Sequence, residues 1–148
     1  MILVTGGTGL IGAHLLYKLV EEGKKVRAIH RESSNLDRVL DVFSYYTDTP
    51  HLFFDQIEWA VADITDLPAL TRAFDDITQV YHCAAFISFD PADYRELRKI
   101  NTEGTCNVVN LCTALKVSKL CYVSSIATLG APKVEGEFII IFRNKGCP

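Results

Sequence analysis

The sequence predicts an α/β protein, a doubly wound parallel sheet with helices on both faces. Three observations carry that expectation. Short apolar runs of strand length alternate with stretches of helical spacing along most of the 148 residues. The first run, Ile2-Leu3-Val4, passes through Thr5 straight into Gly6-Gly7-Thr8-Gly9-Leu10-Ile11-Gly12. Leu15, Leu16, Leu19 and Val20 then recur at the spacing of one helix face.

The elements follow in order. Ile2 to Thr5 reads as the first strand and Leu10 to Glu22 as a helix that Gly23 closes. Lys25 to His30 is the second strand. Asn35 to Tyr46 is a helix with Ser34 or Asn35 as its N-cap. Thr47 to Pro50 is a turn, and His51 to Gln56 a short helical turn. Ile57 to Ala62 is the third strand, followed by a helix over Asp66 to Phe74 capped by Thr65 or Asp66. Gln79 to Cys83 is the fourth strand, Pro91 to Leu115 mostly one long helix, and Lys119 to Ser124 the fifth strand. Right-handed crossovers and the glycine-rich turn give the strand order 3-2-1-4-5. Residues 1–130 form one unit, and residues 131–148 a divergent tail. In that tail Phe138 to Phe142 reads equally as a sixth strand or as an exposed sticky end.

Composition narrows the function classes. Fifteen basic and eighteen acidic residues leave a net charge of −3, which offers no field for nucleic acid. Met1 opens directly into the first strand, so neither a targeting leader nor a membrane segment is expected, and the expected compartment is the cytoplasm. The five cysteines lack a C-x-x-C pair, which favours reduced thiols over disulfides or a metal site.

In such sheets ligands bind beyond the carboxyl ends of the strands. After the first strand, Gly6 permits a tight turn, and Gly9 lets backbone approach a diphosphate. Gly12 lets the helix pack on the sheet. With Thr8, Leu10 and Ile11 they form a dinucleotide-binding turn, whose free N–H groups and helix dipole face the phosphates. After the second strand stands His30-Arg31, where an acidic residue would hold the ribose of NAD. Arg31, with Arg38 one segment on, suits a 2′-phosphate, so NADP is favoured over NAD. Glu32 is the residue that would restore NAD preference if it faced the ribose. Asp63 and Ile64 end the third strand and suit an adenine ring, although Asp63 also suits helix capping. Cys83, Ala84 and Ala85 are small enough for a flat ligand to lie on. His82, inside a strand, reads as a packed, hydrogen-bonded core residue rather than a base. Gly104, within a helix, marks close packing, and Asn101 could hold a water or a backbone carbonyl nearby.

Six segments together resemble the N-terminal part of an extended short-chain dehydrogenase/reductase. They are Thr5 to Gly12, Val26 to Arg31, Asp63 to Asp66, Val80 to Ala85, Asn101 to Thr105 and Tyr122 to Gly130. That group includes sugar epimerases and dehydratases, dihydroflavonol reductases and 3β-hydroxysteroid dehydrogenases. The Arg31 pattern is most similar to the dihydroflavonol reductase branch, whose cofactor is NADP. The resemblance implies a Rossmann-type fold and hydride transfer at a carbonyl or secondary alcohol of a small-molecule substrate. It implies Ser125 and Asn101 as catalytic residues, Ser125 bonding the substrate oxygen. Relatives often form homodimers through helices that include the one after the fourth strand. The family's Tyr-x-x-x-Lys is expected about 25 residues after the Ser. None of the tyrosines at 17, 45, 46, 81, 94 and 122 has Lys four residues on. The expectation is therefore a fragment, cut short before the later strands and the substrate region, that binds the dinucleotide without catalysing. A non-catalytic binding module and an inert truncated piece are the alternatives.

Overall fold

The structure is a computed structural model and describes residues 1–125. The expectations for the tail, including the strand or sticky end at 138–142 and the unit boundary at 130, lie outside the described residues.

Five parallel strands form one sheet in the order β3-β2-β1-β4-β5. They are β1 (Ile2–Thr5), β2 (Val26–His30), β3 (Glu58–Val61), β4 (Gln79–His82) and β5 (Lys119–Tyr122). Register runs Ile2 opposite Val26 and Gln79, so the ends Thr5 and His82 lie side by side. Central β1 is buried along its whole length, whereas every residue of edge strand β5 is exposed.

Alternation along β1 divides the core into two layers. Ile2 and Val4 face α1 (Leu10–Glu21), α2 (Asp37–Phe43) and α3 (Pro50–Phe54), packing with Leu16, Val39 and Phe43. Leu3 faces α4 (Leu67–Ala73) and α6 (Thr105–Ala114), packing with Leu70, Val80 and Val108.

The segment expected to be mostly one long helix from Pro91 to Leu115 is helical without a break over residues 91–114: a 3₁₀ turn at Pro91–Asp93, α5 (Tyr94–Arg98), a π-helical turn at Lys99–Gly104 and α6. Gly104, in the π-helical turn, lies against Ile64, and an added Cβ would stand 2.6 Å from that side chain. The helix expected over Asn35 to Tyr46 is shorter, because Asn35 Oδ1 accepts from the Asp37 amide at its start. Cys83, Cys112 and Cys121 carry free thiols. No helix among the described residues is long and apolar enough to cross a membrane.

Candidate functional site

A cleft of about 300 Å³ opens over the carboxyl ends of β1, β2, β3 and β4. Its floor is the turn from β1 into α1. Gly6 sits at φ +70°, and a Cβ there would lie 2.5 Å from the Ala84 nitrogen. Any other residue would therefore be strained and would clash. At Gly12 a Cβ would come within 2.1 Å of the Gly6 carbonyl oxygen, so the helix can start this close to the strand only without one. Gly9 differs. A Cβ there would meet the Gly6 carbonyl oxygen at 3.3 Å, a tight contact without the overlap found at Gly6 and Gly12. The Gly9 amide donates to Gly6 O at 3.0 Å, and the first bond of α1 runs from Ala13 to Gly9 at 2.9 Å. The amides of Leu10, Ile11 and Gly12 have no backbone acceptor, and no side chain caps the helix. The open donors, the lack of a side chain at Gly9 and the helix dipole fit a phosphate group.

Of the residues singled out in sequence, Gly6, Thr8, Gly9, Arg31, Arg38, Asp63, Ile64, Cys83, Ala84 and Ala85 all line the cleft. Leu10, Ile11 and Gly12 are not on the lining, and the Leu10 and Ile11 side chains are exposed. At the β2 end, neither the Arg31 nor the Arg38 guanidinium has a hydrogen-bond or ion-pair partner among the described residues. Glu32 is exposed and does not line the cleft. Asp63 forms a turn instead of a cap: its Oδ1 accepts from the amide and hydroxyl of Thr65 at 2.8 and 2.7 Å. Asp66 caps α4 through Ala69. Asp63 Oδ2 has no hydrogen-bond partner among the described residues.

The β4 end is closed on itself. His82 is fully buried, sharing hydrogen bonds with Thr5 Oγ1 at 2.6 Å and Thr105 Oγ1 at 2.9 Å. Its ring stacks on Tyr122. Burial lowers its pKa to about 4, so it is neutral at pH 7 and is no general base for the cleft. The Ala84 amide donates to the same Thr5 oxygen. Burial, with Cys121 nearby, pushes the Cys83 thiol up to about 11, making it an inert wall. Asn101, in the π-helical turn, holds the backbone of Phe86 on both sides: Oδ1 accepts from its amide and Nδ2 donates to its carbonyl, each at 2.8 Å. Ser125 lies exposed three residues beyond the end of β5, at the same edge of the sheet.

Residues 2–140 match the family model described as the NAD-dependent epimerase/dehydratase family. The chain belongs to that family. A putative dihydroflavonol 4-reductase of Synechocystis is 32% identical over 134 residues, which is 90% of this chain and 35% of that protein. Mouse 3β-hydroxysteroid dehydrogenase type 7 is 28% identical over 91% of the chain and 35% of its own length. Among solved structures, a short-chain dehydrogenase/reductase from Agrobacterium tumefaciens with bound NAD superposes with TM-score 0.68 at 27% identity, covering 86% of this chain and 33% of that one. The Bordetella bronchiseptica enzyme WbmG, in complex with NAD and UDP, gives 0.70 at 26% identity, covering 90% and 40%. The chain therefore spans about a third of the length of the curated relatives it matches.

The epimerase/dehydratase family is NAD-dependent, and these neighbours hold NAD, so the cleft lies in a fold that carries a dinucleotide elsewhere. Sequence reasoning missed Ser34, His30 and Ile100 among the lining residues. It also missed Asn107, which donates to the Ile64 carbonyl at 2.9 Å. A signal was available: Asn101, Gly104 and Asn107 fall at three-residue intervals, on one helix face.

Proposed function

We propose that this chain is the dinucleotide-binding part of an oxidoreductase or epimerase that acts on a carbonyl or secondary alcohol, with NADP(H) as its preferred cofactor. The single observation behind the cofactor choice is the pair of unpartnered guanidiniums, Arg31 and Arg38, lining the cleft at the β2 end. Glu32 lies off that lining. Two cations without a carboxylate between them favour a phosphate over a bare ribose diol.

The amides of the glycine turn take the diphosphate, Asp63 and Ile64 the adenine, and Cys83, Ala84 and Ala85 form the surface beneath the nicotinamide half. The bound nicotinamide supplies or accepts a hydride. Asn101 holds the Phe86 loop beside it, and the Ser125 hydroxyl bonds the substrate oxygen. A proton donor of the Tyr-x-x-x-Lys kind does not occur in the 148 residues. That observation favours a second reading for this chain as it stands, a module that binds the dinucleotide and does not turn over substrate.

The test is a titration of NADP and NAD against the purified chain, read by thermal stabilisation or by fluorescence of its single tryptophan, Trp59, whose ring packs against cleft-lining His30. NADP should stabilise the chain more than NAD, and Gly9→Val should abolish the effect, with circular dichroism checking that the variant still folds. Equal stabilisation of the chain and the Gly9→Val variant would refute the site.

A further inference from the structure

The helical segment from α5 through α6 touches both walls of the cleft. Asn101 clamps Phe86 on one wall. On the other, Asn107 Nδ2 donates to the Ile64 carbonyl, and Gly104 lies so close to the Ile64 side chain that no Cβ fits between them. Ile64 is 5% exposed yet lines the cleft, so its position is set from behind. Its neighbours are fixed too, because Asp63 is tied to Thr65 and the Asp66 amide donates to the Asp63 carbonyl.

We propose that Asn107 is a positioning residue for the adenosine half of the dinucleotide, acting through Ile64. The proposal rests on the dinucleotide reading given above. One helix thereby sets the spacing between the adenine wall and the Phe86 loop. Without the Asn107 bond, the Ile64 carbonyl loses its partner and the Asp63–Thr65 turn is free to shift away from the ring. The glycine turn is built from β1 and α1 and does not depend on that bond.

Two near-isosteric variants test this, Asn107→Leu and Asn107→Asp. Leu improves helix propensity, which guards the fold, and an ionised Asp cannot donate to the carbonyl. The probes are adenosine 2′,5′-bisphosphate for the adenosine half and inorganic pyrophosphate for the glycine turn. They are titrated by calorimetry at a temperature where circular dichroism shows all three proteins folded. Bisphosphate affinity should fall about fivefold in both variants, as expected for one net hydrogen bond, with pyrophosphate affinity unchanged. Unchanged bisphosphate affinity overturns the proposal. So does an equal loss for both probes, which would mean a general loosening. If the unsubstituted chain binds neither probe, the dinucleotide reading is what fails, and that result is distinct from the variants binding as well as the parent.

Discussion

The two ends of the cleft treat their polar groups in opposite ways. At the β2 end, Arg31 and Arg38 stand on the lining with no side-chain partner among the described residues. At the β4 end, Thr5, His82, Thr105 and Asn101 spend their hydrogen-bonding capacity on one another and on backbone. Unpartnered charge at a cleft is available to a ligand, whereas a satisfied buried network fixes geometry. The β4 end is thus closed scaffold, and the β2 end is the one we propose as a reader. Between them, the glycine turn serves both purposes through backbone alone.

The largest effect should come from disturbing that turn. In Gly12→Ala the new Cβ would sit 2.1 Å from Gly6 O and 2.9 Å from Gly7 Cα, both backbone atoms that cannot swing aside. Moving the turn would also disturb Gly6 against Ala84, and so reach the β4 end. We expect at least about 3 kcal/mol of lost stability by urea unfolding. A variant as stable as the parent would show that the helix start has slack.

The closed network carries the next prediction. His82 has a folded pKa of about 4, below the ordinary value of 6.5, because burial disfavours its charged form. The unfolded chain therefore binds a proton more readily between those two values. Stability that is present above about 6.5 is lost as pH falls toward about 4, and no more is lost to this group below that. The full effect is about 3 kcal/mol. In His82→Gln the group is gone, so the stability gap between parent and variant should narrow as pH falls through that window. Parallel curves would mean that His82 stays neutral in both states or is less buried than its contacts imply.

How much of this was legible depends on whether one residue or a packing contact decides the outcome. The sheet order and the glycine turn were legible, because the spacing of Gly6, Gly9 and Gly12 is a backbone requirement written directly into residue type. His82 reads as core because an imidazole within a strand must find partners when buried. The π-helical turn at Lys99–Gly104 was not legible: Lys, Ile, Asn, Thr and Glu carry no signal for it. Within it Gly104 meets Ile64, forty residues away in sequence, a contact that only the fold creates. Nor could sequence decide between Arg31 and Glu32. They are adjacent in a loop, and only the path of the loop determines which of them lines the cleft.

That adjacency sets the last prediction, which sharpens the contrast between the two ends. If the β2 end reads phosphate, Arg31→Ala should weaken NADP by about tenfold, the scale of one charge-assisted hydrogen bond, and leave NAD nearly unchanged. Arg31 is exposed and its side chain bonds nothing among the described residues, so its removal should not move the melting temperature of the free chain. Arg38→Ala should act in the same direction, and the double variant should bind both cofactors about equally. The salt dependence of NADP binding should fall with each charge removed, because screening acts on exposed cations and hardly at all on the buried network at the β4 end. A uniform loss for both cofactors would place Arg31 on the shared diphosphate. The β2 end would then be part of the general anchor, and the distinction between a reading end and a scaffolding end would have to be drawn elsewhere.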